Sequence, residues 1–142
     1  MESKFVGDWD LISSENFDDY LADVGVGYLQ RMMANTVVPI ISISVKDDEW
    51  EIKTISAIRT IVFQFKLEEK FEHTTPDGRE AVSIVHKIDG DKLEQIQNGK
   101  EDNAVGSRIV RYVDDDDHYI VELTAMKPGA VIARRVHQRR VS

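Results

Sequence analysis

Apolar and polar residues alternate along most of this chain. Ile41, Ile43 and Val45 alternate with Ser42, Ser44 and Lys46, and Asp47-Asp48 then offers a turn. Trp50, Ile52 and Thr54 alternate with Glu51 and Lys53, and Ile61, Phe63, Phe65 and Leu67 with Thr60, Gln64 and Lys66. Thr75-Pro76-Asp77-Gly78 reads as a turn, because proline presets one dihedral and glycine tolerates positive φ. Further strands are expected over residues 82–88, 92–97, 107–113, 119–126 and 130–136. They are punctuated by Asp89-Gly90-Asp91, Asn98-Gly99, Asp114–Asp117 and Lys127-Pro128-Gly129.

A period of two repeated about eight to ten times, with short turns, predicts an antiparallel meander. A meander of that length closes into a barrel or sandwich to remove its edges. Helical spacing occurs only at the front. Asn16 is a candidate N-cap, Asp18 and Asp19 follow it, and Phe17, Tyr20, Leu21 and Val24 fall on one helical face. Gly25-Val26-Gly27 interrupts that face before a second short run over residues 28–34. The pattern predicts two short helices placed as a lid over one barrel end.

Within this frame, two arginines stand where aliphatic side chains are expected. Arg111 shares a strand face with Ile109 and Val113, and Arg134 shares one with Ile132 and Val136. If those faces point inward, two guanidinium groups need an anion, because an unpaired buried charge is too costly to keep. The anion could be the protein's own, with Glu94 and Glu122 the candidates on nearby strands, or it could belong to a ligand.

Composition narrows the function. At 142 residues a single domain over 1–142 is expected. No run reaches the ~20 apolar residues of a helical membrane span. The start Met1-Glu2-Ser3-Lys4-Phe5 lacks a secretory pattern, and a cytosolic location is the expectation. Without cysteine there are no disulfides, no thiolate chemistry and no Cys-based zinc site. A net charge of -8 disfavours nucleic acid. His73, His86, His118 and His137 lack metal-ligand spacing. Ser83 and His86 fall on opposite strand faces, so no nucleophile–base pair forms there, and neither catalysis nor a cofactor is expected.

The segment from Gly7-Asp8-Trp9 through Asn16-Phe17-Asp18-Asp19-Tyr20-Leu21 resembles the N-terminal signature of the fatty-acid-binding proteins. So do Gly25-Val26-Gly27, Pro39, Phe65-Lys66-Leu67, Phe71, Thr74-Thr75-Pro76-Asp77-Gly78-Arg79, Ser83-Ile84-Val85 and Val110-Arg111. The resemblance spans nearly the whole chain and is nearest to the heart- and muscle-like members of these cytosolic lipid carriers. It implies an all-β fold, a ten-stranded antiparallel β-clam or barrel of lipocalin type with a helix-turn-helix lid. It also implies an interior cavity holding one long-chain fatty acid non-covalently, in a monomer.

In that family an arginine of the eighth strand and an Arg-x-Tyr pair of the last strand hold the carboxylate. The resemblance assigns these places to Arg111 and Arg134, with Val136 at the tyrosine position, a departure that removes a phenol hydroxyl. It further implies ligand contacts from Phe17, Tyr20 and Leu21 of the lid, from Pro39, Ile58, Arg59 and Asp77 near the mouth, and from Leu123 beside the arginines. Arg31 and Arg59 are the candidates for steering a transient contact with a membrane surface. A retinoid-like acid would also use the arginines, and a ligand-dependent interaction protein handing lipid to a receptor or enzyme is the reading from another class.

Overall fold

A computed structural model describes residues 2–141; Met1, part of the N-terminal expectation above, lies outside them. A short turn of helix, α1 (Glu2–Phe5), precedes strand β1 (Gly7–Glu15), and helices α2 (Phe17–Asp23) and α3 (Tyr28–Thr36) follow it. Nine strands complete the chain: β2 (Ile40–Lys46), β3 (Glu49–Ile55), β4 (Thr60–Lys66), β5 (Phe71–Thr74), β6 (Glu80–Ile88), β7 (Lys92–Gly99), β8 (Ser107–Val113), β9 (Tyr119–Ala125) and β10 (Ile132–Arg139). All pairings are antiparallel, in the order β4-β3-β2-β1-β10-β9-β8-β7-β6-β5. The first strand pairs with the last, so the meander rolls up into the expected ten-stranded, nearly closed barrel. Among the described residues no helix is long and apolar enough to cross a membrane.

The roll is left open at one seam. β4 and β5 end the sheet without a hydrogen-bonded ladder between them. Aromatic rings bridge the seam instead: Phe63 and Phe65 stack on Phe71 at 5.9 and 5.2 Å, and Phe63 lies 5.0 Å from the His73 ring. Such contacts each contribute about 0.5–1.5 kcal/mol beyond the area they bury.

Inward residues form two clusters. At the closed end, Phe5, Trp9, Trp50, Phe65, Leu93 and Tyr119 pack together with their neighbours. Trp9 is sealed from solvent, donates from Nε1 to the Phe5 carbonyl at 2.9 Å, and leans on Tyr119 at 5.6 Å. At the other end, Tyr20, Leu21 and Val24 of α2 pack against Ala125 and Ala133, which seats the lid.

The lid begins differently from the expected cap. Asn16 adopts a left-handed φ of 60° and makes no side-chain cap bond. Its amide donates to the Ile132 carbonyl at 3.2 Å, tying the lid's entry to β10.

Candidate functional site

The barrel encloses a cavity between the lid and the closed-end cluster. It leaves about 160 Å³ for the centres of water-sized molecules, and one water needs only ~10–15 Å³ by that measure. The space therefore holds many waters or a long run of methylenes. Its wall is mainly apolar, with Phe17 and Leu21 from α2, Ile41, Ile52, Phe63, Ile109, Val121 and Leu123 from the strands, and Pro39 near the mouth.

Arg111 enters this cavity as parity predicted. It donates from Nη1 to Gln95 Oε1, and its Cζ lies 6.0 Å from the Phe63 ring. Behind it runs a buried polar chain. Gln95 Nε2 donates to Ser83 Oγ at 2.9 Å, and Ser83 Oγ lies 2.7 Å from His73 Nε2. Glu94, a candidate partner for Arg111, instead bonds Arg108 on the outer face at 2.6 Å.

The second arginine differs from the expectation. Arg134 does not line the cavity; it is 42% exposed and lies 3.8 Å from Glu122, the protein's own carboxylate. Arg135 is the residue on the cavity wall. Cross-strand register explains this. Arg111 is paired with Val121, and Val121 is paired with Arg135, so one inward row runs through all three. Arg134 belongs to the outward row with Glu122 and Val110. On β10 the inward set is Ala133, Arg135 and His137, while Ile132 is 59% exposed.

Val136 is displaced by the same shift. It lies off the cavity, paired with Ile120 and Ser13, and His137 stands two residues after the inward arginine.

Arg135 meets no carboxylate within ion-pair distance among the described residues. Its Cζ sits 3.9 Å from the Phe17 ring, and Nη1 donates to Ser14 Oγ at 3.0 Å. Burial without an acid lowers its pKa to about 10. It stays protonated at neutral pH, and an anion entering the cavity would relieve that cost. Tyr119 and His137 complete this end, with the His137 ring bonded through Nδ1 to the Tyr119 carbonyl oxygen at 3.0 Å.

At the mouth, Arg79 grips Asp77 with two bonds, at 2.6 and 3.1 Å, and both residues line the cavity. The Tyr20 hydroxyl lies 2.7 Å from Ser107 Oγ, and burial raises its pKa. Arg59 lines the mouth too, with Nη1 placed 2.8 Å from where a Cβ on Gly78 would stand. A side chain at residue 78 would displace Arg59 and strain a φ of +98°.

Ile58 sits outside the main cavity, in a smaller pocket of the mouth with Met33, Val37 and Arg59. Arg31 bonds Asp18 at 3.1 Å and the Val26 carbonyl at 2.8 Å, so its charge is already answered. Leu29, Met33, Val38 and Ile58 are exposed on this side. Of the expected contacts, Phe17, Tyr20, Leu21, Pro39, Arg59, Asp77, Arg111 and Leu123 lie on the cavity wall. Among the described residues, no cluster of His, Asp and Glu could hold a metal ion.

Two interior histidines make stability depend on pH. Burial, reinforced by nearby arginines, lowers both His73 and His137 from 6.5 to about 4. Between these values the unfolded chain binds more protons than the folded one. Stability contributed by the neutral rings is thus complete above pH 6.5 and is lost as pH falls toward 4. The expected slope approaches about 1.4 kcal/mol per pH unit for each histidine. Urea midpoints measured from pH 7 to pH 4.5 should fall, and His73→Phe should flatten the fall. A wild-type midpoint constant over that range contradicts the assignment.

Known proteins are similar to this chain in sequence and architecture along nearly its whole length. Residues 6–130 match the model of the lipocalin and cytosolic fatty-acid-binding protein family. The chain is 37% identical over 139 residues to fatty acid-binding protein homolog 6 of Caenorhabditis elegans, covering 98% of this chain and 99% of the relative. It is 36% identical to sodium/calcium exchanger regulatory protein 1 of Doryteuthis pealeii, over 98% of each chain. The solved Schistosoma mansoni fatty acid binding protein in complex with arachidonic acid superposes with a TM-score of 0.87. That pair is 34% identical, with 99% of this chain and 98% of that one covered. With a family model matched over most of its length and relatives above 30% identity along nearly the whole of it, the chain belongs to the lipocalin and cytosolic fatty-acid-binding protein family.

Proposed function

We propose that this protein is a cytosolic carrier that holds one long-chain fatty acid inside the barrel, with the carboxylate between Arg111 and Arg135. The observation that carries the reading is the pair of cavity-facing guanidinium groups, neither of which meets a protein carboxylate among the described residues. A fatty acid answers both needs of the cavity. Its carboxylate supplies the anion, in charge-assisted bonds that fix its orientation. Its tail supplies the affinity, at about 0.8 kcal/mol for each buried methylene.

Ser83, the hydroxyl that meets the His73 imidazole, is capped by Gln95 and stands behind the cavity wall rather than on it, and the ligand leaves as it entered, so the reading is transport rather than catalysis. Ligand passes beneath α3 and the turns after β3 and β5. The exposed apolar side chains there make a transient contact with a membrane surface at the moment of exchange.

Native mass spectrometry of the purified protein, followed by organic extraction, tests the reading. A co-purified fatty acid in a one-to-one complex is expected, or uptake of one equivalent of added acid by the delipidated protein. Retention of an uncharged lipid in preference to an acid of equal chain length would overturn it.

A further inference from the structure

The imidazole on the last strand changes the hydrogen-bonding character of the head-group end. His137 is 2% exposed and lines the cavity. It shares its strand face with Arg135, about 6.6 Å along the backbone. Its Nδ1 meets the Tyr119 carbonyl oxygen at 3.0 Å. A carbonyl can only accept, so Nδ1 carries the hydrogen and donates it.

In the neutral ring this leaves Nε2 as a bare lone pair. Burial beside Arg135 and Arg111 keeps the ring neutral, with its pKa lowered to about 4. Among the described residues no group bonds Nε2, and the single side-chain nitrogen or oxygen that is both sealed in and unpartnered is His73 Nδ1. His137 Nε2 is therefore an acceptor open to the cavity, in a wall that also carries Arg111 and Arg135, whose charges reach the ring.

A plain carboxylate only accepts. It satisfies the guanidiniums while setting its own lone pairs against Nε2, which then loses water without gaining a bond. A donor on the ligand beside the carboxylate removes that conflict. We propose that His137 Nε2 selects acids that carry an O–H or N–H next to the carboxylate, as hydroxy fatty acids and N-acyl amino acids do. This rests on the fatty-acid reading of the cavity and narrows its ligand class.

The test compares dissociation constants, by displacement of a fluorescent fatty acid, for hexadecanoic acid, 2-hydroxyhexadecanoic acid, 2-methoxyhexadecanoic acid and N-hexadecanoylglycine. Each is measured on wild type, His137→Phe and His137→Tyr. Wild type should bind at least one donor-bearing acid about tenfold more tightly than the plain acid, with no gain for the methoxy acid. The hydroxy acid and the acylglycine separate the two sources of the donor.

His137→Phe should erase the preference, and His137→Tyr, which offers a phenol donor, should turn it toward the plain acid. Ratios taken within each variant are insensitive to a partly unfolded fraction. The inference is overturned if wild type shows no preference or if His137→Phe keeps it. Uptake of one proton when the plain acid binds at pH 7, measured calorimetrically in buffers of different ionisation enthalpy, would also overturn it, because Nε2 would then be a donor. Plain acids that bind without preference would remove this inference alone. Failure of every acid to bind would remove the fatty-acid reading with it.

Discussion

Alanine at both Arg111 and Arg135 is expected to weaken fatty-acid binding about a hundredfold or more. Each guanidinium should give the carboxylate a charge-assisted bond, for which about 1.5–3 kcal/mol is typical, and two such losses exceed two decades in Kd. The methyl ester of the same acid should bind the double variant and the wild type alike, because the tail contacts are untouched. Arg134→Ala is the internal control: its side chain lies outside, beside Glu122, and affinity should stay within about twofold of wild type. Stability should move the other way from binding at one of the sites. Arg135 is held in the wall without an acid, so Arg135→Leu, which keeps apolar volume, should stabilise the empty protein by about 1 kcal/mol. A double variant that binds fatty acid as tightly as wild type would refute the clamp.

Trp9→Ala should cost about 3–5 kcal/mol of folding stability, the usual range for emptying a buried aromatic site. The indole is enclosed by Tyr119 at 5.6 Å and by the Arg139 guanidinium, whose Cζ is 4.3 Å from the ring. Its removal also leaves the Phe5 carbonyl without its 2.9 Å partner. Against a total of about 5–15 kcal/mol for a domain, that loss approaches unfolding at physiological temperature. Trp9→Phe should recover most of the packing but leave the carbonyl unpaired, at about 1–3 kcal/mol. Urea denaturation measures both. A loss below 1 kcal/mol for Trp9→Ala would show that the closed-end cluster does not depend on this ring. Because Trp9 packs below the cavity rather than on its wall, the fraction that remains folded should bind ligand nearly as before.

Strand content and sheet order were legible because alternation is strong from residue 41 onward and the turns carry their own chemistry. β5 (Phe71–Thr74) is too short to show a period, and α1 is a single turn with no cap signal. The site was legible through Arg111 and blurred at β10. Two adjacent arginines on one strand must face opposite sides, so one of them points inward in either register.

The apolar neighbours misled. Ile132 and Val136 suggested an inward face, yet the side of the sheet turned away from the cavity carries its own apolar row, in which the buried Val136 pairs with the buried Ile120. The inward residues carry no large aliphatic signal, since Ala133 packs under the lid and His137 is a polar ring on the cavity wall. The cross-strand row through Arg111 and Val121 identifies Arg135, and pairing register is information that no single strand contains. His73, Gln95 and Tyr119 were missed because their sequence context gives a polar or aromatic residue in a strand no hint that it faces a cavity.

The open seam between β4 and β5 has a mechanical consequence. A zipped barrel can widen only by breaking paired amide and carbonyl groups, which strands them away from water. Here the two free edges are latched by Phe63, Phe65, Phe71 and His73, and rings can slide or turn while every ladder stays intact. The shell can therefore swell around cargo of different girth by moving side chains alone, at a cost set by a few ring contacts of about 1 kcal/mol each. On the proposed reading, tolerance for bulk and discrimination by head group then reside in different parts of the wall, the first at the seam and the second on β8 and β10.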